Sequence, residues 1–205
     1  MKREPTAIAP APRPRRGSCT VEPIRDKRDI TAMKGVLAHR ARDLALFVVG
    51  IHTGFRGTDL LGLRWGDVLT DDGSIALRVS IVETKTNKRR TMPLQDNARR
   101  ALGDWLRASS RVDRAAYVFP SRQGGGKITT GRLNQLINGW ADEAGVTGHF
   151  GAHTLRKTFG YHLRMAGYDI AMLMEIFGHS SQSITRRYCG INQDEINAAA
   201  LKLNL

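Results

Sequence analysis

Apolar positions recur along this chain mostly at helical spacing. Ile30, Met33 and Leu37 mark one face of a short helix, with Asp29 as its expected N-terminal cap. Leu44, Phe47, Val48 and Ile51 stand at i, i+3, i+4 and i+7, the stripe of a core-facing helix, and Thr53-Gly54 predicts its end. RGTDLLGLRW, over 56–65, reads as a third short helix. Ile75, Leu77, Val79 and Ile81 alternate with other residues, which predicts a strand over 74–83 after the DDG turn. ETKTNKRRTMPL, over 83–94, continues into a second strand through a polar turn at Asn87-Lys88, so a β-hairpin is the simplest reading.

Helical spacing resumes over 95–108, where Ala98, Ala101, Leu102, Trp105 and Leu106 share one side. YVFP, over 117–120, reads as a short strand and RQGGGK, over 122–127, as a flexible loop. Thr130 is the expected cap of a helix carrying Leu133, Leu136, Ile137 and Trp140, closed by Gly145. Four more helical patterns follow at 153–166, 169–177, 181–188 and 192–203, the last with Ile196, Ala199, Ala200 and Leu203 in register. The result is an α+β chain, mainly helical, with one small antiparallel sheet. It lacks the strand-helix alternation of a nucleotide-binding sheet.

Charge changes the picture. The 205 residues hold 32 Lys and Arg against 19 Asp and Glu, a formal charge of +13, which points to a polyanionic partner and first of all to nucleic acid. Prolines 5, 10, 12, 14 and 23, with Arg13, Arg15 and Arg16, make residues 1–24 an extended tail or linker ahead of one domain over 25–205. The tail reads as a solvated leader or as an arm lying on DNA phosphates; its prolines fit an organellar presequence helix badly. Cys19 and Cys189 stand alone, without the spacing of a disulfide framework or a thiolate zinc site, which suits a reducing, cytoplasmic setting. No apolar run approaches the roughly 18 to 20 residues of a membrane-spanning helix.

Five features carry candidate chemistry: TGFRGTDLLGLRW around Arg56, TKTNKRR around Lys85, HTLRKT from His153 to Arg156, FGHSS at His179, and ITRRYCG at Tyr188. Each taken singly also has an ordinary structural reading, as a solvated arginine, a turn lysine, a capping histidine or an amphipathic edge tyrosine. Together they resemble the catalytic domain of the tyrosine site-specific recombinases, the phage integrase family, whose order is Arg, Lys, His-x-x-Arg, His or Trp, Tyr. The step of nine from His179 to Tyr188 and the continuation Leu63, Trp65, Asp67, Val68 after Arg56 match that family too. The resemblance covers residues 25–205. It implies site-specific recombination, as integration, excision or inversion, by strand cleavage and rejoining through a covalent 3′-phosphotyrosine, in a bacterial or mobile-element protein associated with the nucleoid.

The residue types support that chemistry on their own terms. A phosphodiester under attack passes through five-coordinate phosphorus with added negative charge on its nonbridging oxygens, and guanidinium groups meet it with paired planar donors, so Arg56 and Arg156 form the expected clamp. His153 and Arg156, three apart on one helix, reach a single phosphate. Tyr188, with an ordinary pKa of about 10, needs a base, for which neutral His153 is the candidate, while His179 donates a hydrogen bond to the phosphate. Lys85 on the hairpin turn is the expected acid for the leaving 5′-oxygen, with Lys88 as the neighbouring alternative. Asp59 resembles the family's supporting acid, an orienter rather than a catalyst. No cofactor or metal is called for, since the phosphotyrosine conserves the bond energy and no acidic cluster has metal-ligand spacing. Cys189 reads as a small half-buried residue rather than a reactive thiol.

Two other protein classes share part of this pattern. A type IB topoisomerase uses a similar set, but the short chain, the His-x-x-Arg spelling and the lack of a long linker before the tyrosine argue against it. A DNA-binding regulator that kept only the fold is opposed by the full residue set. About 25 residues precede the catalytic pattern, so the expectation is a short form lacking the N-terminal core-binding domain, which the initiator Met and basic leader favour over a fragment. Weaker DNA affinity follows from half the clamp. INQDEINAAALKLNL, over 191–205, is an amphipathic helix that packs on its own core or docks on a neighbouring protomer. The partners expected are double-stranded DNA, a homo-tetramer on two DNA sites from a monomer without DNA, and accessory DNA-bending proteins.

Overall fold

A computed structural model describes residues 21–109, 112–191 and 200–201. Along them run α1 (Lys27–Val36), α2 (Ala41–Thr53), α3 (Gly57–Leu61), α4 (Trp65–Val68), β1 (Arg78–Val82), β2 (Arg89–Pro93), α5 (Asp96–Ala108), α6 (Thr130–Glu143), α7 (Ala152–Met165), α8 (Ile170–Phe177) and α9 (Gln182–Tyr188). The chain is mainly helical with one two-stranded antiparallel sheet, as its patterning predicts. The helix expected over 192–203 lies outside the described residues except at Ala200 and Leu201.

The central element is α2. Its stripe understates its burial: Ala45 through Ile51 are all buried, because α5 and α7 pack on different sides of it. It ends where expected, at Gly54, whose left-handed backbone (φ 57°) and missing Cβ let the Phe159 ring of α7 press against it. The main core spreads outward from α2, with Phe47 edge-on to Trp140 of α6. A second, smaller apolar cluster of Leu173, Phe177 and Cys189, backed by Phe159 and Leu163, lies under α7, α8 and α9.

Several boundaries differ from the sequence expectation for local hydrogen-bonding reasons. Asp26, not Asp29, caps α1 by accepting from the Arg28 N–H, and Asp29 sits in the first turn, where its charge suits the helix dipole. Thr129, not Thr130, caps α6. The segment 56–65 is not one helix, because the Trp65 and Gly66 N–H groups turn to the Ala116 and Arg114 carbonyls and Asp67 caps a new start through the Arg64 N–H. The first strand begins at Arg78 rather than 74: Ile75 bridges to Leu69 and the Ala76 N–H donates to the Val68 carbonyl, so this stretch pairs with the end of α4 rather than with β2. YVFP forms no ladder; Tyr117 makes a single bridge to Arg64, while Val118 and Phe119 are core residues. The RQGGGK loop is closed by a Ser121 N–H bond to the Gly126 carbonyl.

Residues 21–24, at the end of the expected tail, lie against the fold. The buried Ile24 donates its N–H to Thr158 of α7 at 2.9 Å, and the Glu22 N–H donates to the His149 carbonyl. No helix among the described residues is long and apolar enough to cross a membrane.

Candidate active site

One helix supplies the heart of the site. α7 starts at Ala152, so His153 and Arg156 fall three apart on neighbouring faces, with Lys157 beside them. His153 stays exposed at the helix mouth, while Arg156 is driven inward and is only 1% exposed. Each terminal nitrogen gives a hydrogen bond to the protein: Nη1 donates to the Gly54 carbonyl and Nη2 to the Phe177 carbonyl, each at 2.8 Å, and the guanidinium lies 4.7 Å over the Phe177 ring. Arg156 therefore joins the ends of α2 and α8. Its Nε is buried without a partner.

The other members arrive on helix ends. Gly178, left-handed at φ 61°, closes α8 and delivers His179, which stacks on Phe177 at 5.3 Å and has Nδ1 3.0 Å from the Thr185 hydroxyl. Tyr188 is the last residue of α9; its Oη lies 3.4 Å from His153 Nδ1, and its ring centre is 5.0 Å from that of His179. The Arg156 guanidinium and Lys157 Nζ stand 5.7 and 5.8 Å from the same ring. Arg56 precedes α3 and pairs through Nη1 with Glu83 Oε2 at 2.6 Å; Arg90 of β2 pairs with the other oxygen at 3.4 Å.

The pocket is strongly cationic. Burial, then Arg90 and Arg56, presses the Arg156 pKa down to about 9, which still leaves it charged at neutral pH. Burial first, then Arg156, Arg56 and Arg90, pulls His179 down to about 4. Burial, with Arg156, Lys157 and Arg56 behind it, also lowers His153, so both imidazoles are neutral near pH 7. A neutral ring beside a phenol, walled by guanidinium groups, suits an oxygen nucleophile and an anionic phosphorus centre. Among the described residues no group of three or more His, Cys, Asp or Glu side chains is placed to hold a metal ion.

The sequence profile of the phage integrase family matches residues 27–195. The chain belongs to that family. A probable integrase/recombinase, YoeC of Bacillus subtilis, is 34% identical over 180 residues, covering 87% of this chain and 94% of the relative. Tyrosine recombinase XerC of Xylella fastidiosa is 33% identical over 147 residues, 72% of this chain and 48% of XerC, so the chain spans about half the length of that relative. The crystal structure of XerA recombinase superposes with a TM-score of 0.71 at 22% identity, covering 95% of this chain and 67% of that one. This integrase is accordingly an enzyme of site-specific DNA recombination by strand cleavage and rejoining.

Five of the seven expected residues of the integrase site, Arg56, His153, Arg156, His179 and Tyr188, are gathered by direct contact or by their electrostatic coupling. Lys85 is not: it sits exposed in the turn after β1 and makes no hydrogen bond or ion pair among the described residues. Asp59 is buried and supports that turn rather than Arg56, its Oδ1 accepting from the Thr84 N–H at 2.9 Å and hydroxyl at 2.7 Å. Cys189 is fully buried, not half-buried, and burial raises its thiol to about 11. Sequence reasoning missed Glu83, Arg90, Lys157 and Thr185. The signal for Glu83 was an acid at the edge of the most basic stretch of the hairpin; nothing in the pattern marked the others.

Proposed function

We propose that Tyr188 is the nucleophile of this integrase and that the cleaved strand is held as a 3′-phosphotyrosine. The observation that carries the reading is the 3.4 Å approach of Tyr188 Oη to His153 Nδ1 inside the guanidinium-walled pocket. In the forward step the Tyr188 Oη–phosphorus bond forms and the phosphorus–O5′ bond breaks. The phenol proton passes to His153, Lys85 gives a proton to the departing O5′, and Arg56, Arg156 and His179 meet the nonbridging oxygens. Rejoining runs the same transfers backward, with a 5′-hydroxyl from another strand as attacker. The phosphotyrosine conserves the energy of the broken bond, so the cycle needs neither ATP nor a metal ion.

Lys85 fits the acid's part because Asp59 and Glu83 hold its turn at the edge of the site while its side chain stays free. The substrate is double-stranded DNA, which the charge of +13 favours. The working assembly is a homo-tetramer on two DNA sites, with the catalytic unit of 25–205 extended by residues 21–24, which pack on it, and the basic segment ahead of them as an arm on the phosphates.

The test is a library of nicked suicide duplexes with a randomised core, incubated without metal or nucleotide, followed by mass spectrometry of the covalent adduct. Adduct is expected on Tyr188, and Tyr188→Phe is expected to bind DNA without forming it. Adduct on another residue overturns the assignment. DNA binding with no adduct favours the regulator reading, and relaxation of supercoils without site preference favours the topoisomerase.

A further inference from the structure

The residue that controls Arg56 is not in the expected set. Glu83 stands just past β1 and is 4% exposed, whereas most of the other acids among the described residues lie in solvent. A carboxylate that deeply placed is tolerated only with partners, and it has three: Oε2 takes Arg56 Nη1 at 2.6 Å and the Thr86 hydroxyl at 2.7 Å, and Oε1 takes Arg90 Nη1 at 3.4 Å. Burial alone raises a carboxyl pKa, yet the bonds from Arg56 and Thr86, with the charges of Arg56 and Arg90, outweigh it and hold Glu83 below the usual carboxylate range. The group is therefore an anion throughout the working pH range.

The Glu83 backbone is engaged as fully as the side chain. Its N–H donates to the Lys88 carbonyl and its carbonyl accepts from the Asn87 N–H, each at 2.9 Å, so the turn that carries Lys85 closes on this residue. Asn87, left-handed at φ 53°, completes the closure. One residue thus fixes both the Arg56 guanidinium and the base of the Lys85 turn. An anion here opposes phosphate binding by partly cancelling Arg56. What it supplies is orientation: the 2.6 Å ion pair at Nη1, short although not aligned as a hydrogen bond, removes freedom from a long side chain.

We propose that Glu83 is a positioning residue for Arg56 in strand cleavage, holding the guanidinium in the pose that meets the scissile phosphate. The proposal rests on the recombinase reading of the site, and it concerns geometry rather than affinity.

Three measurements on the full chain test it. On a duplex that gives the wild-type adduct, Glu83→Ala is expected to slow single-turnover cleavage about 30- to 100-fold, with the DNA Kd within about twofold of wild type. Glu83→Gln, which keeps the shape and loses the charge, is expected to fall between the two and to unfold at the wild-type temperature. On a duplex whose scissile linkage is a methylphosphonate, which lacks the charge Arg56 must meet, the Glu83→Ala defect is expected to shrink to about threefold. A defect of equal size on both linkages overturns the proposal, as does a loss confined to DNA affinity. Carboxyl carbon NMR of Glu83 reads the pair without catalysis: in Arg56→Ala the titration is expected to rise, and an unmoved titration overturns the proposal. If the wild-type chain forms no adduct, the recombinase reading fails, and the NMR result still decides whether Arg56 and Glu83 act as a pair.

Discussion

Replacing Arg156 by lysine should damage both the fold and the chemistry, although the charge is kept. The guanidinium is 1% exposed and spends its two terminal nitrogens on the Gly54 and Phe177 carbonyls at 2.8 Å each. A lysine ammonium reaches one of them. The other carbonyl is left buried without its donor, which costs about 1–3 kcal/mol, and the flat stacking over Phe177 at 4.7 Å is lost as well. The cost of burying a cation beside Arg56 and Arg90 is not relieved, because lysine carries the same charge. For a chain of this size each kcal/mol moves the thermal midpoint about 2–4 °C, so Arg156→Lys should melt about 2–12 °C below wild type. Adduct formation should fall at least about 100-fold, the scale of losing one oriented donor to a developing oxyanion. Circular dichroism at 222 nm and single-turnover cleavage read the two effects. An unchanged midpoint would refute the reasoning, since it would mean that the ends of α2 and α8 do not depend on the planar fork.

Lys85→Ala should lose at least about tenfold in cleavage and regain most of it on a duplex with sulfur at the scissile 5′ bridge, whose thiolate leaves without a proton. If Lys88→Ala is the variant so rescued, the acid is Lys88. Gly54→Ala should destabilise the chain by more than about 1 kcal/mol, since the added Cβ faces a φ of 57° and the Phe159 ring; a denaturant midpoint equal to wild type would contradict this. His179, held at about 4 against an ordinary 6.5, binds its proton more weakly folded than unfolded, so stability is full above pH 6.5 and falls as pH drops from 6.5 to 4. At face value the shift is worth about 3 kcal/mol, and solvent at this half-exposed ring cuts that to about 1 kcal/mol. Urea midpoints from pH 7 to 4 should therefore fall more steeply in wild type than in His179→Asn, and parallel curves would count against it.

Elements with one strong apolar face were legible from spacing alone. α5 through α9 begin and end within a residue or two of their predicted spans, because packing against the core follows the 3.6-residue period. What escaped were choices between competing local bonds. Asp26 and Asp29 are both competent caps, and only the Arg28 N–H selects the first. Ile75 has the alternation of a strand, yet the Val68 carbonyl captures Ala76 before the ladder begins. In the site, the step of three from His153 to Arg156 was readable because helix geometry converts it directly into proximity, whereas His179 and Tyr188, at the ends of α8 and α9, were legible only through the family resemblance. Arg156 was not readable as a buried tie, since an arginine in a basic sequence gives no sign that two carbonyls wait for it. Glu83 was hidden for the same reason: it is 27 positions from Arg56, and only the hairpin brings the two together.

The charge arrangement explains why these residues work as a set. Arg56, Arg90 and Arg156 share a buried region in which Glu83 is the carboxylate that pairs with two of them, so the free site carries an excess of positive charge. That excess has three consequences with a common origin. Behind burial, which is the larger cause, it weakens proton binding at His153 and His179 and so favours the neutral imidazoles. It places Arg156 and Lys157 within 6 Å of the Tyr188 ring, where a phenolate formed at Oη would meet cations. It also leaves room for one more anion, and a bound phosphodiester is that anion. In the proposed mechanism, a phosphate entering the site would partly cancel the repulsion on His153, so substrate binding would strengthen the group proposed to take the nucleophile's proton. On the proposed roles, His153 is a weaker base without DNA than with it, and the same field that recruits the phosphate would withhold the reaction until it arrives.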